Sequence, residues 1–225
     1  MGDAYDAIRR AVLTMELLPG QPLSERGLES LAGASRTPVR AALVQLAHEG
    51  LTVRDGRGWR VAPLDLDEVR AVLEHREVVE CGAVALAVDR ATAAELDLLQ
   101  ELAQSPAEDA ETGLRGGERF HVALAGLSRN VFLADAVEGA LTRLSRTRWL
   151  EVRSGASREQ ARTEHLAILA AVRDRDADRA TTLVREHARG TRDRLLAHLE
   201  ADRLGLRSRG VAVVGAGVPG VEPER

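Results

Sequence analysis

The sequence predicts a mainly α protein in two parts, a small three-helix unit finished by a β-hairpin and then an antiparallel all-α bundle of about six helices. Three observations predict it. Residues 28–61 read LESLAGASRTPVRAALVQLAHEGLTVRDGRGWRV, an apolar helix pattern broken at Gly33, a second helix, and two short β-like runs. Aromatic residues make up 2% of the 225, so the core must be Ala, Leu and Val, which suits close-packed helices better than a β-sandwich. Beyond residue 66 apolar residues recur at helical spacing, without alternating runs.

The elements follow in order. Residues 3–16 make a first helix with Ile8, Val12 and Met15 on one face, ended by the turn Leu18-Pro19-Gly20. Residues 23–31 make the second and 36–49 the third, with Ser35 as its N-cap and Gly50 just past its end. Residues 51–54 and 59–62 form a hairpin around a Gly-containing turn. Pro63 breaks the chain and Asp65 or Asp67 can cap the next helix, which makes residues 1–63 the first domain and 66–204 the second. Helices are expected there at 68–88, 93–104, 118–128, 131–151, 158–173 and 177–204, with a Gly- and acid-rich loop over 105–116. Residues 205–225 are expected to be a disordered tail. Gly215, Gly217 and Gly220 match a dinucleotide-binding spacing, but Pro219 and Pro223 stand where that motif must open a helix.

Charge is unevenly placed. The net charge of −4 argues against a whole-surface nucleic-acid coat, yet residues 36–60 carry five Arg against two acids. All 31 basic residues are Arg. A lone cysteine, Cys81, excludes an internal disulfide framework and reads as a small apolar residue on a helix. No apolar run approaches the ~20 residues of a membrane span and no secretory pattern opens the chain, so no membrane partner and a cytoplasmic location are expected.

Helix, turn, helix and hairpin together are the plan of a winged helix-turn-helix, whose second helix enters the major groove of double-stranded DNA. That helix needs short polar or charged side chains in its first two turns. Ser35, Arg36, Thr37 and Arg40 meet the requirement, while Val39, Leu43, Leu46 and Ala47 form the opposite, core-facing side. Arg26 can reach the DNA backbone from the flank, and Arg57 and Gly58 allow close approach of the wing.

The second domain carries three histidines whose placement can be worked out from spacing. His165 and His187 are each 11 residues from Asp176, in the charged turn of a helical hairpin, so antiparallel helices set them side by side. His165 shares a face with Ile168, Leu169 and Val172, His187 with Leu183 and Val184, and His121 on another helix with Leu124 and Ala125. Three inward imidazoles are costly to bury unpaired and ligate divalent transition metals, Zn or Ni foremost. Three separately hydrogen-bonded core histidines are the alternative. Arg76 lies on an apolar face with Val72, Val79 and Ala83; it either pairs with Glu80 one turn on or forks a carboxylate effector beside the metal.

The run PGQPLSERGLESLAGASRTPVRAALVQLAHEGL resembles the winged head of the GntR family of bacterial transcription regulators, with Ala41 where the family often has Glu. By that resemblance Arg26, Arg36, Thr37, Arg40 and Gly58 are operator contacts. The stretches EVRAVLEHREVVECGAVALA, FHVALAGLSRN and EHLAILAAVRDRDADRA resemble the FCD effector-binding domain of the FadR subgroup. That similarity implies a metal on His121, His165 and His187, completed by a small organic acid, and a homodimer. The family's first ligand is typically an Asp four residues before the first His; that position is Gly117, and Glu118 on nearly the same face is the candidate substitute.

The expected function is a ligand-responsive regulator, not an enzyme, that binds an inverted-repeat operator as a repressor relieved by a small carboxylate. Two alternatives stand beside it: a metal-dependent hydrolase using the three-His site, and a constitutive DNA-binding dimer with no effector.

Overall fold

The computed structural model describes residues 2–152, 154–201, 203–208 and 210–215. The chain divides into two compact units, residues 71–198 forming one, and residues 1–70 together with those from 199 onward forming the other.

The first unit opens with α1 (Gly2–Leu13), β1 (Pro22–Leu23), α2 (Glu25–Ala32), α3 (Arg36–His48), β2 (Thr52–Asp55) and β3 (Gly58–Val61). Helix α1 stops at Leu13, short of the expected residue 16, because Met15 adopts a left-handed φ of 62° and turns the chain. Leu23 lies in a strand, not in the second helix: β1 pairs with β3, and Ser24 caps α2 by accepting from the Gly27 N–H. Gly33, at φ 59°, supplies the left-handed turn between α2 and α3. The three antiparallel strands run in the order β1-β3-β2. Asp55 is paired with Gly58, which leaves a two-residue loop whose first position, Gly56, has φ 56°. The turn therefore depends on Gly56, and Gly58 needs no unusual backbone.

Ile8, Val12, Leu28, Val39, Leu43, Leu46, Leu51 and Val61 make this unit's core. Buried Thr52 donates its hydroxyl proton to the Leu43 carbonyl at 3.0 Å. Tyr5 donates to Glu49 Oε1 at 2.6 Å, and Arg9 lies 3.5 Å from the other oxygen, which ties α1 to the end of α3. Burial, then that carboxylate, pushes the Tyr5 hydroxyl well above its ordinary value.

The expected disordered tail is corrected over its described part. After helix α4 (Leu66–Arg90) and the second unit, the chain forms α10 (Arg203–Ser208) and β5 (Val213–Val214), and β5 pairs in parallel with β4 (Leu64–Asp65). Ala212 donates to the Pro19 carbonyl and accepts from the Leu64 N–H, both at 2.9 Å, while Val211 and Val213 are buried. Apolar Val211 and Val213 alternate with half-buried Ala212 and Val214, so the segment has one face to bury and unpaired backbone to satisfy. The expected tail from 216 to 225 lies outside the described residues.

The second unit contains most of α4, then α5 (Ala93–Gln104), α6 (Ala110–Gly126), α7 (Val131–Glu151), α8 (Gly155–Arg173) and α9 (Ala177–Ala201), whose last residues belong to the first unit. The expected loop over 105–116 is corrected: α6 begins at Ala110 and runs through Gly113, Gly116 and Gly117. Asp109 and Thr112 form a reciprocal capping box that starts the helix despite its glycines. Thr92 and Glu95 do the same for α5. Val84, Val88, Leu96, Leu99, Phe120, Leu124, Ile168, Val172 and Val184 share one core, with Ala87, Ala171 and Ala180 at close approaches. Arg175, left-handed at φ 59°, donates to the carbonyls of Val88 and Ala91 and locks the α8–α9 turn against the end of α4.

Gly20 has φ 86°, and a Cβ there would stand 2.4 Å from the Ala212 Cβ. Gly20→Ala is expected to destabilise the first unit by at least about 1 kcal/mol, read as a lower urea midpoint. An unchanged midpoint would show that Ala212 does not pack there.

Candidate functional site

Two clusters of functional side chains are present, one in each unit. In the first, Ser35 sits at the start of α3 with extended backbone and no side-chain cap bond, and Ser35, Arg36, Thr37 and Arg40 are all exposed. Arg26 on α2 and Arg57 and Gly58 in the hairpin are exposed too. Sequence reasoning missed that α2 supplies counter-charges. Glu25 lies 2.7 Å from Arg40 Nε and 3.2 Å from Arg36 Nε, and Glu29 lies 3.4 Å from Arg36 Nε. Arg40 above all holds the Glu25 carboxyl below its usual range. Such exposed pairs contribute little to stability, but they pre-set the two guanidinium groups on the helix surface. Arg54 was missed as well: it is the cross-strand partner of Trp59, and its guanidinium sits 3.9 Å from that ring centroid. Arg40, Arg54 and Arg57 border one shallow concavity with Glu25 and Trp59. The alternation of the hairpin, which puts positions 54 and 59 on one face, was the available signal.

In the second unit, His121 on α6, His165 on α8 and His187 on α9 are all buried, and their ligand nitrogens lie within 4.8 Å of one another. Each ring is aimed by a neighbour. His121 Nδ1 lies 3.0 Å from Glu80 Oε2, and the Arg76 Nε–H donates to the other Glu80 oxygen at 2.6 Å. His187 Nδ1 lies 2.6 Å from Glu164 Oε2. Both imidazoles thus give an Nδ1–H to a carboxylate and present the Nε2 lone pair to the cluster centre, where the two Nε2 atoms are 3.2 Å apart. His165 stacks on Phe120 at 4.0 Å between centroids, and its Nε2 is buried with no hydrogen-bond partner among the described residues.

This donor set fits a divalent metal. Nitrogens sharing one ion at about 2.0–2.1 Å lie roughly 3.0–3.4 Å apart, which matches the His121–His187 separation. The carboxylate-to-histidine bonds are the outer shell that ligating imidazoles use. Burial foremost holds His121 and His165 neutral and ligand-ready: it pushes His121 down to about 3, against the opposing pull of Glu80, and His165 well below its usual value with help from its histidine neighbours and Arg148.

Arg76 is fully buried, and its Nε is taken by Glu80 while Nη2 lies 2.9 Å from His121 Nε2. The ion-pair alternative is therefore present. Nη1 is buried without a partner among the described residues, so one donor, not a free fork, remains for a ligand. Glu118 is half-buried on α6 and is not in the three-His group. At Gly117 an added Cβ would meet Arg148 Nη2 at 2.9 Å, so the guanidinium occupies space that a side chain at 117 would need. Arg148 was not foreseen; it lies on α7 and meets Gly117 of α6 only through packing. A cavity of about 300 Å³ opens beside the cluster, lined by Arg148, His165, His187, Phe120 and Thr191 among others.

A winged three-helix head on one unit and a helical unit with a buried histidine cavity define a two-domain DNA-binding regulator. Residues 2–61 match the family model for bacterial regulatory proteins of the gntR family, and residues 71–190 match the FCD domain; the chain belongs to the GntR family of transcription regulators. An HTH-type transcriptional regulator in an unstable DNA locus of Streptomyces ambofaciens is 35% identical, over 87% of this chain and 86% of the relative. The Nta operon transcriptional regulator of Aminobacter aminovorans is 32% identical, over 79% and 86%. A solved GntR-type regulator from Rhodococcus sp. RHA1 shares the fold at 21% identity, with a TM-score of 0.69 over 86% of this chain and 95% of that one. Among the described residues no helix is long and apolar enough to cross a membrane.

With metal removed by chelation, folding stability is expected to fall as pH drops below about 6.5. Unfolded histidine takes up a proton there, whereas buried His121 and His165 stay neutral, so acid favours the unfolded chain. Glu80, depressed by Arg76 and His121 despite its burial, adds to the loss only at lower pH. Urea midpoints measured from about pH 7 down to about pH 4 check this; a flat profile would mean the cluster opens to water.

Proposed function

We propose that this regulator is a repressor whose grip on DNA is relieved by a small organic acid bound in the histidine cavity. A cytoplasmic homodimer presents two heads to an inverted repeat, and the acid favours an arrangement of heads that does not fit both half-sites; coupling of about 1–3 kcal/mol is typical of such switches. His121, His165 and His187 hold a divalent transition metal, which when bound supplies a Lewis-acidic centre for the ligand's carboxylate. Glu80 and Glu164 orient the two rings and fix their tautomers, and the buried Arg76 Nη1 is the donor that this reading assigns to the ligand. The observation that carries this reading is the convergence of two carboxylate-aimed Nε2 lone pairs at 3.2 Å beside an orphaned third.

Tag-free protein is expected to contain about one divalent metal per chain by mass spectrometry, and His165→Ala to lose most of it. Substoichiometric metal that cannot be restored by dialysis against Zn or Ni would remove the metal from the mechanism.

At the head, Arg36→Ala and Arg40→Ala are each expected to weaken binding to the protein's own promoter DNA in fluorescence anisotropy. If the contact is to phosphate, the slope of log affinity against log salt falls by about one and sequence preference is kept; if to a base edge, discrimination drops by about 1–3 kcal/mol at one position. No preference for promoter over random DNA in the wild type would overturn the regulatory reading.

A further inference from the structure

The cavity beside the histidines has a charged side that the metal reading does not use. Among its lining residues are Arg148, Arg158 and Arg162 against one carboxylate, Glu159, and that carboxylate is paired with Arg162 at 2.5 Å. Arg158 donates to the carbonyls of Ala107, Val152 and Glu108, which fixes it in the wall. Arg148 differs in being only 6% exposed while still lining the cavity, and in standing where Gly117 leaves room for it. An enclosed guanidinium on the wall of a cavity that His165 and His187 also line is a donor for an anionic group of a ligand.

We propose that Arg148, admitted by the missing side chain at Gly117, binds a second anionic group of the ligand, so that the cavity takes a small dianion and discriminates against monocarboxylates of the same length. This rests on the reading of the cavity as an effector site. One anionic end faces the histidine side and the other faces Arg148. A cavity of about 300 Å³ admits a compound of this size and little more. Dicarboxylates and phosphate-bearing acids share the chemistry, and the test separates them.

The experiment is calorimetric titration of the metal-replete full chain with succinate, butyrate and inorganic phosphate, each at constant ionic strength. Succinate or phosphate is expected to bind about tenfold or more tightly than butyrate, and whichever leads identifies the second group as carboxylate or phosphate. Arg148→Met is expected to bring the preferred dianion down to the butyrate level with metal content unchanged. Gly117→Ala, which keeps every charge and suits a helix, is expected to act the same way by displacing the guanidinium, and so keeps the test valid should Arg148→Met fold poorly. Equal binding of succinate, phosphate and butyrate, or a dianion preference that survives Gly117→Ala and Arg148→Met, overturns the proposal and leaves the effector site standing. If none of the three probes binds, the effector reading itself fails, and this proposal with it.

Discussion

The buried carboxylate of Glu80 holds the helical unit's polar centre together. It accepts from the Arg76 Nε–H with one oxygen and faces His121 Nδ1 with the other. Without it, Arg76 would be a guanidinium of zero exposure with no counter-charge, a defect that costs on the order of 3–5 kcal/mol. His121 would also lose the bond that decides which ring nitrogen is free. The orientation of His121 therefore follows from a single ion pair between positions one helical turn apart on α4.

The two units handle charge in opposite ways. In the head, the arginines of α3 stay largely in water, and Glu25 and Glu29 hold them only loosely. Water screens these pairs, so a phosphate can replace a carboxylate at small cost. At the centre of the helical unit Arg76 and Glu80 are out of water and paired with each other, so rearrangement there is expensive. A site that exchanges partners and a site that holds geometry are thus built from the same residue types by burial alone.

Much of this was legible in the sequence. The spacing of His165 and His187 about Asp176 placed two rings side by side, and their centroids are 4.9 Å apart. The family resemblance and the helical periodicity gave the head and the bundle, and α5 and α7 fall on the expected residues. The misses have physical causes. Leu23 pairs with a strand more than 30 residues away, a partner no local window contains. The glycines of α6 read as a loop because propensity was weighed without the Asp109–Thr112 cap. Arg148 was invisible because its significance lies in the space at Gly117, which only packing reveals.

The strand β5 sets an order on the birth of the molecule. Its partner β4 is made early, but the backbone groups of Leu64 and Pro19 find Ala212 only after residues 71–198 have been synthesised. At common elongation rates that interval is on the order of ten seconds. Through it the nascent head carries an unsealed edge, and its three helices must persist on their own packing. The reading head in this sense closes only after the helical unit has been made, although its helices emerge before that unit.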